Sequence, residues 1–88
     1  MQFSLDIVNE KGLHARASAK FVETVERFDA RALVSRDGME VSGDSIMGLM
    51  MLGAGCGTSI EVKVEGADAE PLAVALRELV AGRFGEPT

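Results

Sequence analysis

The segment Ser59-Ile60-Glu61-Val62-Lys63-Val64-Glu65 decides the fold. Apolar and polar residues alternate along it without a break. A strand here puts Ile60, Val62 and Val64 inward and Glu61, Lys63 and Glu65 outward. Such a strand belongs to a sheet with one face in the core and the other in water, covered by helices on one side only.

The neighbouring segments fit that frame. Residues 2–8 alternate in the same way, with Phe3, Leu5 and Ile7 set against Gln2, Ser4 and Asp6. Residues 30–36 and 39–42 read as two short strands joined by Asp37-Gly38, a pair that supplies the positive φ angles of a tight hairpin. Asn9 to Gly12 read as a polar loop. From Ala15 to Phe28 the period becomes helical: Phe21, Val22, Val25 and Phe28 share one face, and Lys20, Glu23 and Arg27 another. Glu23 and Arg27 are spaced as an i,i+4 ion pair. Ser45 is placed to cap a short helix over residues 46–52 that Gly53 ends. Asp68 is placed to cap a last helix over residues 69–83, with Pro71 in its first turn and Leu72, Leu76, Leu79 and Val80 as its buried stripe. The order strand, helix, strand, strand, helix, strand, helix predicts an α+β sandwich.

Composition narrows the function. A chain of 88 residues buries only about 60–70% of its unfolded surface, enough for one core and one domain over residues 1–88. The net charge of −5 disfavours nucleic-acid binding, which depends on Lys and Arg neutralising phosphates. No signal peptide is expected at Met1-Gln2-Phe3-Ser4. Residues 45–60 are uncharged but broken by four glycines, and shorter than the ~20 residues of a membrane span. A lone Cys56 cannot form an internal disulfide, so a soluble cytoplasmic protein is expected. One His and one Cys far apart make no metal site. The glycine-rich run 53–57 follows a helix and precedes a strand, the reverse of a dinucleotide fingerprint.

The sole histidine sits in Gly12-Leu13-His14-Ala15-Arg16, at the entry to the first helix. No Ser, Thr, Asp or Asn occupies the cap position, so the first amides lack a side-chain acceptor. A phosphate on His14 would supply one, because helix N-termini bind anions through free N–H groups. Arg16 adds positive charge and Gly12 a sharp turn. Neutral imidazole is a competent nucleophile, the free side chain titrating near ~6.5. On the residues alone, a solvated surface histidine and a nucleophile both remain open.

The run from Gly12 to Arg16, followed by Ala19 and Phe21-Val22, resembles the active-site motif of HPr, the histidine-containing phosphocarrier family of the phosphotransferase system. Ser45-Ile46-Met47-Gly48-Leu49-Met50-Met51-Leu52-Gly53 resembles that family's regulatory-serine signature, and the tail Phe84-Gly85-Glu86 agrees as well. The resemblance implies a four-stranded antiparallel sheet covered by three helices. It implies that His14 takes a phosphoryl group on Nδ1 from Enzyme I and passes it to a IIA-type acceptor. Arg16 and the amides of Ala15 and Arg16 would hold the phosphoryl oxygens, and this chain's own Ala17 amide is expected to join them. Ser45 would be the target of an HPr kinase/phosphorylase, and Ile46, Met47 and Met50 the docking residues. A monomeric carrier that needs no cofactor, rather than an independent catalyst, is implied.

Two features depart from the family pattern. Ala17 stands where most members have proline, which leaves the first turn less constrained and adds one N–H donor. Glu23 and Glu26 lie where members of the sugar-uptake type carry lysine, which leaves a nitrogen-type regulatory branch open. Two other function classes stand beside the carrier. A pure regulatory binder would not use His14, and the intact His14-Ala15-Arg16 weighs against it. A small hydrolase using Ser45 and His14 is opposed by size and motif.

Overall fold

The decisive alternating strand lies inside the sheet. In the computed structural model, which describes all 88 residues, Met1–Thr88, the elements run β1 (Gln2–Asp6), α1 (Ala15–Glu26), β2 (Arg31–Arg36), β3 (Met39–Ser42), α2 (Ile46–Met51), β4 (Ser59–Glu65) and α3 (Ala69–Ala81). A 3-10 turn, Arg83–Gly85, follows. The strands form one antiparallel sheet in the order β1-β4-β2-β3. Val62 faces Phe3 across one seam and Val34 across the other, so β4 joins the two halves. The hairpin between β2 and β3 turns at Asp37 (φ 51°) and Gly38 (φ 84°), the two left-handed residues that an Asp-Gly pair favours.

The inward side chains Phe3, Leu5, Ile60, Val62, Val64, Ala32 and Val34 are buried. They meet Phe21, Val22 and Val25 of α1, Leu49 of α2, and Leu72, Leu76 and Val80 of α3 in one cluster of 21 buried residues. Each large side chain fully removed from water contributes about 1.5–3 kcal/mol. The outward residues of β4 are exposed, so the helices cover one face, as expected. No helix is long and apolar enough to cross a membrane.

Several local expectations change. α1 stops at Glu26, two residues early, where the Arg27 and Phe28 amides close tighter i−3 turns and leave Phe28 half-buried. The Glu23–Arg27 pair does not form: Arg27 donates to Thr24 Oγ1 at 3.2 Å instead. Asp68 occupies the N-cap of α3 but caps nothing there. Its carboxylate accepts from the Asp29 amide at 2.8 Å and ties the α1–β2 turn to α3. α3 ends at Ala81, not Arg83, because Arg83 (φ 58°), Phe84 (φ 55°) and Gly85 (φ 79°) reverse the backbone hand. Leu79 is only half-buried.

Candidate functional site

The loop before α1 is held from beneath. Gly12 adopts φ +68°, and a Cβ placed there would lie 2.7 Å from the Ala54 carbonyl oxygen. The Leu13 amide donates to that same carbonyl at 2.9 Å, and Leu13 is buried. The sequence therefore needs glycine at 12 to seat the loop on the α2–β4 connection. Its consequence is that His14 becomes the N-cap of α1, with extended backbone (φ −77°, ψ −176°) and no side-chain cap.

The His14 carbonyl accepts from the Ser18 amide at 2.8 Å, which closes the first turn. Ser18 Oγ donates to the Leu13 carbonyl at 3.2 Å and tightens it. The amides of Ala15, Arg16 and Ala17 have no acceptor in the protein, and no acidic side chain lies in this turn. A helix end in this state favours an anion, through free N–H groups and the positive end of the dipole. Arg16 is exposed and makes no ion pair. With Lys11, Ala15, Glu86, Pro87 and Thr88, it and His14 line a shallow cleft of 390 Å³.

The ring of His14 is not free on both sides. Its Nε2 meets Glu86 Oε2, while Nδ1 makes no hydrogen bond. The two side chains are 28% and 13% exposed, so water reaches the histidine but little of the carboxylate. Glu86 is held in turn by Asn9, whose Nδ2 donates to Glu86 Oε1 at 3.0 Å and to the Gly12 carbonyl at 2.8 Å. The Asn9 hydrogen bond and then that of His14 hold the Glu86 carboxyl below its ordinary value of 4.5. Attraction to His14 and Lys11 adds to this, against the opposing effect of burial. The tail reaches this position through its left-handed turn. Phe84 is fully buried, and Lys20 Nζ donates to the Phe84 carbonyl at 2.6 Å. The strain of each non-glycine residue in that turn costs ~1–2 kcal/mol, which burial of the Phe84 ring offsets.

The sequence reading missed Asn9, Lys20 and Glu86. Asn9 is fully buried, not part of an open polar loop, and its Oδ1 has no partner. Such an orphan atom costs ~1–3 kcal/mol, so the residue is explained by what Nδ2 holds. One signal was available: Asn9 continues the inward parity of Phe3, Leu5 and Ile7, where a polar residue is out of place.

The second motif lies on α2. Ser45 is the N-cap, and its Oγ accepts from the Gly48 amide at 3.0 Å. Leu49 and Leu52 are buried, whereas Ile46, Met47, Met50 and also Met51 are exposed. At the other end of α2, Arg36 donates to the Leu52 carbonyl at 3.1 Å. Cys56 is exposed in the turn that leads into β4.

Comparison with known proteins bears on the family and the fold. The family described as "PTS HPr component phosphorylation site" matches residues 1–82. The phosphocarrier protein HPr of Neisseria meningitidis is 48% identical over 83 residues, covering 94% of this chain and 93% of that protein. The HPr of Xylella fastidiosa is 43% identical and covers 100% and 99%. The crystal structure of HPr from Thermoanaerobacter tengcongensis superposes with a TM-score of 0.94 at 38% identity, covering 100% and 99%. Sequence and fold thus agree from end to end: the chain belongs to the HPr family, the phosphocarriers of the phosphotransferase system.

Proposed function

We propose that this chain carries a phosphoryl group on Nδ1 of His14, taking it from Enzyme I and passing it to a IIA-type acceptor. The observation that carries this reading is the position of His14 as the N-cap of α1, beside three unpaired amides. In the transfer, the lone pair of Nδ1 forms the N–P bond as the bond from phosphorus to the donor's leaving atom breaks. The leaving atom keeps that electron pair. Passing the group on repeats the exchange, with Nδ1 as leaving atom. The amides of Ala15, Arg16 and Ala17 receive the phosphoryl oxygens, and the Arg16 guanidinium adds a mobile positive charge. Ala17 retains an N–H that proline would lack. This chain's own part in the transfer calls on no cofactor or metal.

Ser45 is the proposed regulatory site, phosphorylated by an HPr kinase/phosphorylase. A phosphate at an N-cap is favoured by the helix end, so it changes surface charge without melting α2. Ile46, Met47 and Met50 form the docking patch, and the exposure of Met51 extends it. A single domain over residues 1–88, working as a cytoplasmic monomer, suits a shuttle that must dock and leave.

The test is intact mass after incubation with Enzyme I, phosphoenolpyruvate and Mg²⁺. An acid-labile phosphoryl adduct on the parent, absent from His14→Ala, is the expected outcome. No adduct with the cognate Enzyme I would mean that Ser45 and the methionine surface carry the function instead.

A further inference from the structure

We propose that Asn9 and Glu86 form a tautomer lock on His14, with Glu86 a positioning residue that holds the ring proton on Nε2 and leaves the Nδ1 lone pair free. This inference rests on the phosphocarrier reading of His14 and names how its nucleophile is prepared.

A neutral imidazole carries its proton on one nitrogen, and the partner of the ring decides which. An ionised carboxylate can only accept hydrogen bonds. Glu86 Oε2 faces Nε2, so Nε2 must bear the proton. The orientation of the carboxylate is itself imposed. Asn9 Nδ2 lies 2.8 Å from the Gly12 carbonyl, which can only accept, so the Asn9 amide cannot be turned over. That same Nδ2 donates to Glu86 Oε1 at 3.0 Å, and it therefore demands an acceptor there. Lys20, bound to the Phe84 carbonyl at 2.6 Å, holds the turn that delivers Glu86.

The lock also serves the charged intermediate. When Nδ1 forms its bond to phosphorus, the ring gains a positive charge and Nε2 keeps its proton. That charge develops against the Glu86 carboxylate. When the group leaves, the pair returns to Nδ1 and the ring is neutral again. No proton has to move in either direction.

This geometry reverses the usual ranking of substitutions. Glu86→Gln conserves shape, but Asn9 captures the new side chain's oxygen. Its NH₂ then points at His14 Nε2, which must accept, and the proton is driven to Nδ1, where it blocks the nucleophile. Glu86→Ala merely opens Nε2 to water and imposes neither tautomer. A purely structural Glu86 would give the opposite order, with alanine the more harmful.

The experiment is ¹⁵N NMR of the His14 ring in the full chain at about pH 8, above the range of the free imidazole. It is combined with the rate of phosphorylation by Enzyme I and the final intact mass. The parent should show the Nε2–H form. Glu86→Gln should shift the ring toward Nδ1–H and slow phosphorylation by about tenfold or more, as a wrongly placed ring proton does elsewhere. Glu86→Ala should fall between them. If Glu86→Gln retains the parent ring shifts, at whatever rate, or phosphorylates no more slowly than Glu86→Ala, the lock is wrong although His14 remains the acceptor. If the parent gains no phosphoryl mass, or gains one that persists in His14→Ala, the carrier reading fails instead.

Discussion

Asn9 and Glu86 stand 77 residues apart and share a hydrogen bond of 3.0 Å, which fastens the last residues of the chain to the loop that presents His14. Asn9 belongs to the run that leaves β1, and Glu86 follows the turn after α3. The two ends of the chain thus converge on one imidazole. A second tie runs alongside, from the Glu10 amide to the Thr88 carbonyl at 3.1 Å.

Removing Asn9 should loosen both partners at once. Asn9→Ala deletes the bonds to Gly12 and Glu86 and also the orphaned Oδ1. The losses exceed the relief, and a net cost of ~1–2 kcal/mol is expected. In a chain of this size that lowers Tm by roughly 4–8 °C per kcal/mol. Thermal unfolding at neutral pH checks the value. An unchanged Tm would show that the buried amide contributes nothing to stability.

The acid side of the stability curve carries the signature of Glu86. Its carboxyl is held below 4.5, first by the Asn9 hydrogen bond and then by that of His14, with Lys11 and the His14 charge also facing it. A depressed value in the folded state means that docking of the tail is fully present above the unfolded value. The stabilisation is lost as pH falls through the lower, folded value. A ¹³C titration of the Glu86 carboxyl should therefore show a midpoint below 4.5. The midpoint should rise toward that value in Asn9→Ala. A parent midpoint at or above it would contradict the geometry.

The sheet was readable because β4, β1 and the Asp37-Gly38 hairpin are set by local alternation and turn chemistry. The uncapped His14 and the cap at Ser45 were readable for the same reason, since each depends on residues within four positions. What escaped was contact between distant segments. No period in the sequence places Glu86 on His14, and no rule of spacing turns the chain left-handed at Arg83 and Phe84. Asp68 fits a cap by its position, yet tertiary packing assigns it to the Asp29 amide. Asn9 was visible only as a polar residue on the inward side of an apolar alternation.

Gly12 cannot take a side chain without displacing the backbone beneath it. Gly12→Ala would force a left-handed φ of +68° on a residue with a Cβ, and would place that atom 2.7 Å from the Ala54 carbonyl and 2.8 Å from the Gly55 Cα. Both neighbours are backbone and cannot step aside cheaply. A loss of ~2–4 kcal/mol is expected. Gly53→Ala makes the control, because its φ of +63° is similar but nothing lies within 4 Å of the added atom. Conformational strain alone should cost it ~1–2 kcal/mol. Urea denaturation of the two variants separates the clash from the strain. Equal losses would show that the loop yields and that the close approach to Ala54 is not limiting.

Ser45 separates a structural role from a regulatory one. Its Oγ accepts from the Gly48 amide at 3.0 Å, so Ser45→Ala should cost ~1 kcal/mol through the lost cap. Ser45→Asp keeps an acceptor at the same place and adds a negative charge to the helix N-terminus. It should restore most of that stability. The added charge lies beside the exposed Ile46 and Met47, so binding of a partner to this face should respond even where stability does not. Tm and affinity for Enzyme I, measured together on the three proteins, give the expected pattern: alanine lowers Tm and leaves affinity nearly unchanged, whereas aspartate restores Tm and changes affinity. If aspartate destabilises as much as alanine, the cap is not what the hydroxyl supplies. If affinity is the same in all three, charge at Ser45 does not regulate docking through this surface.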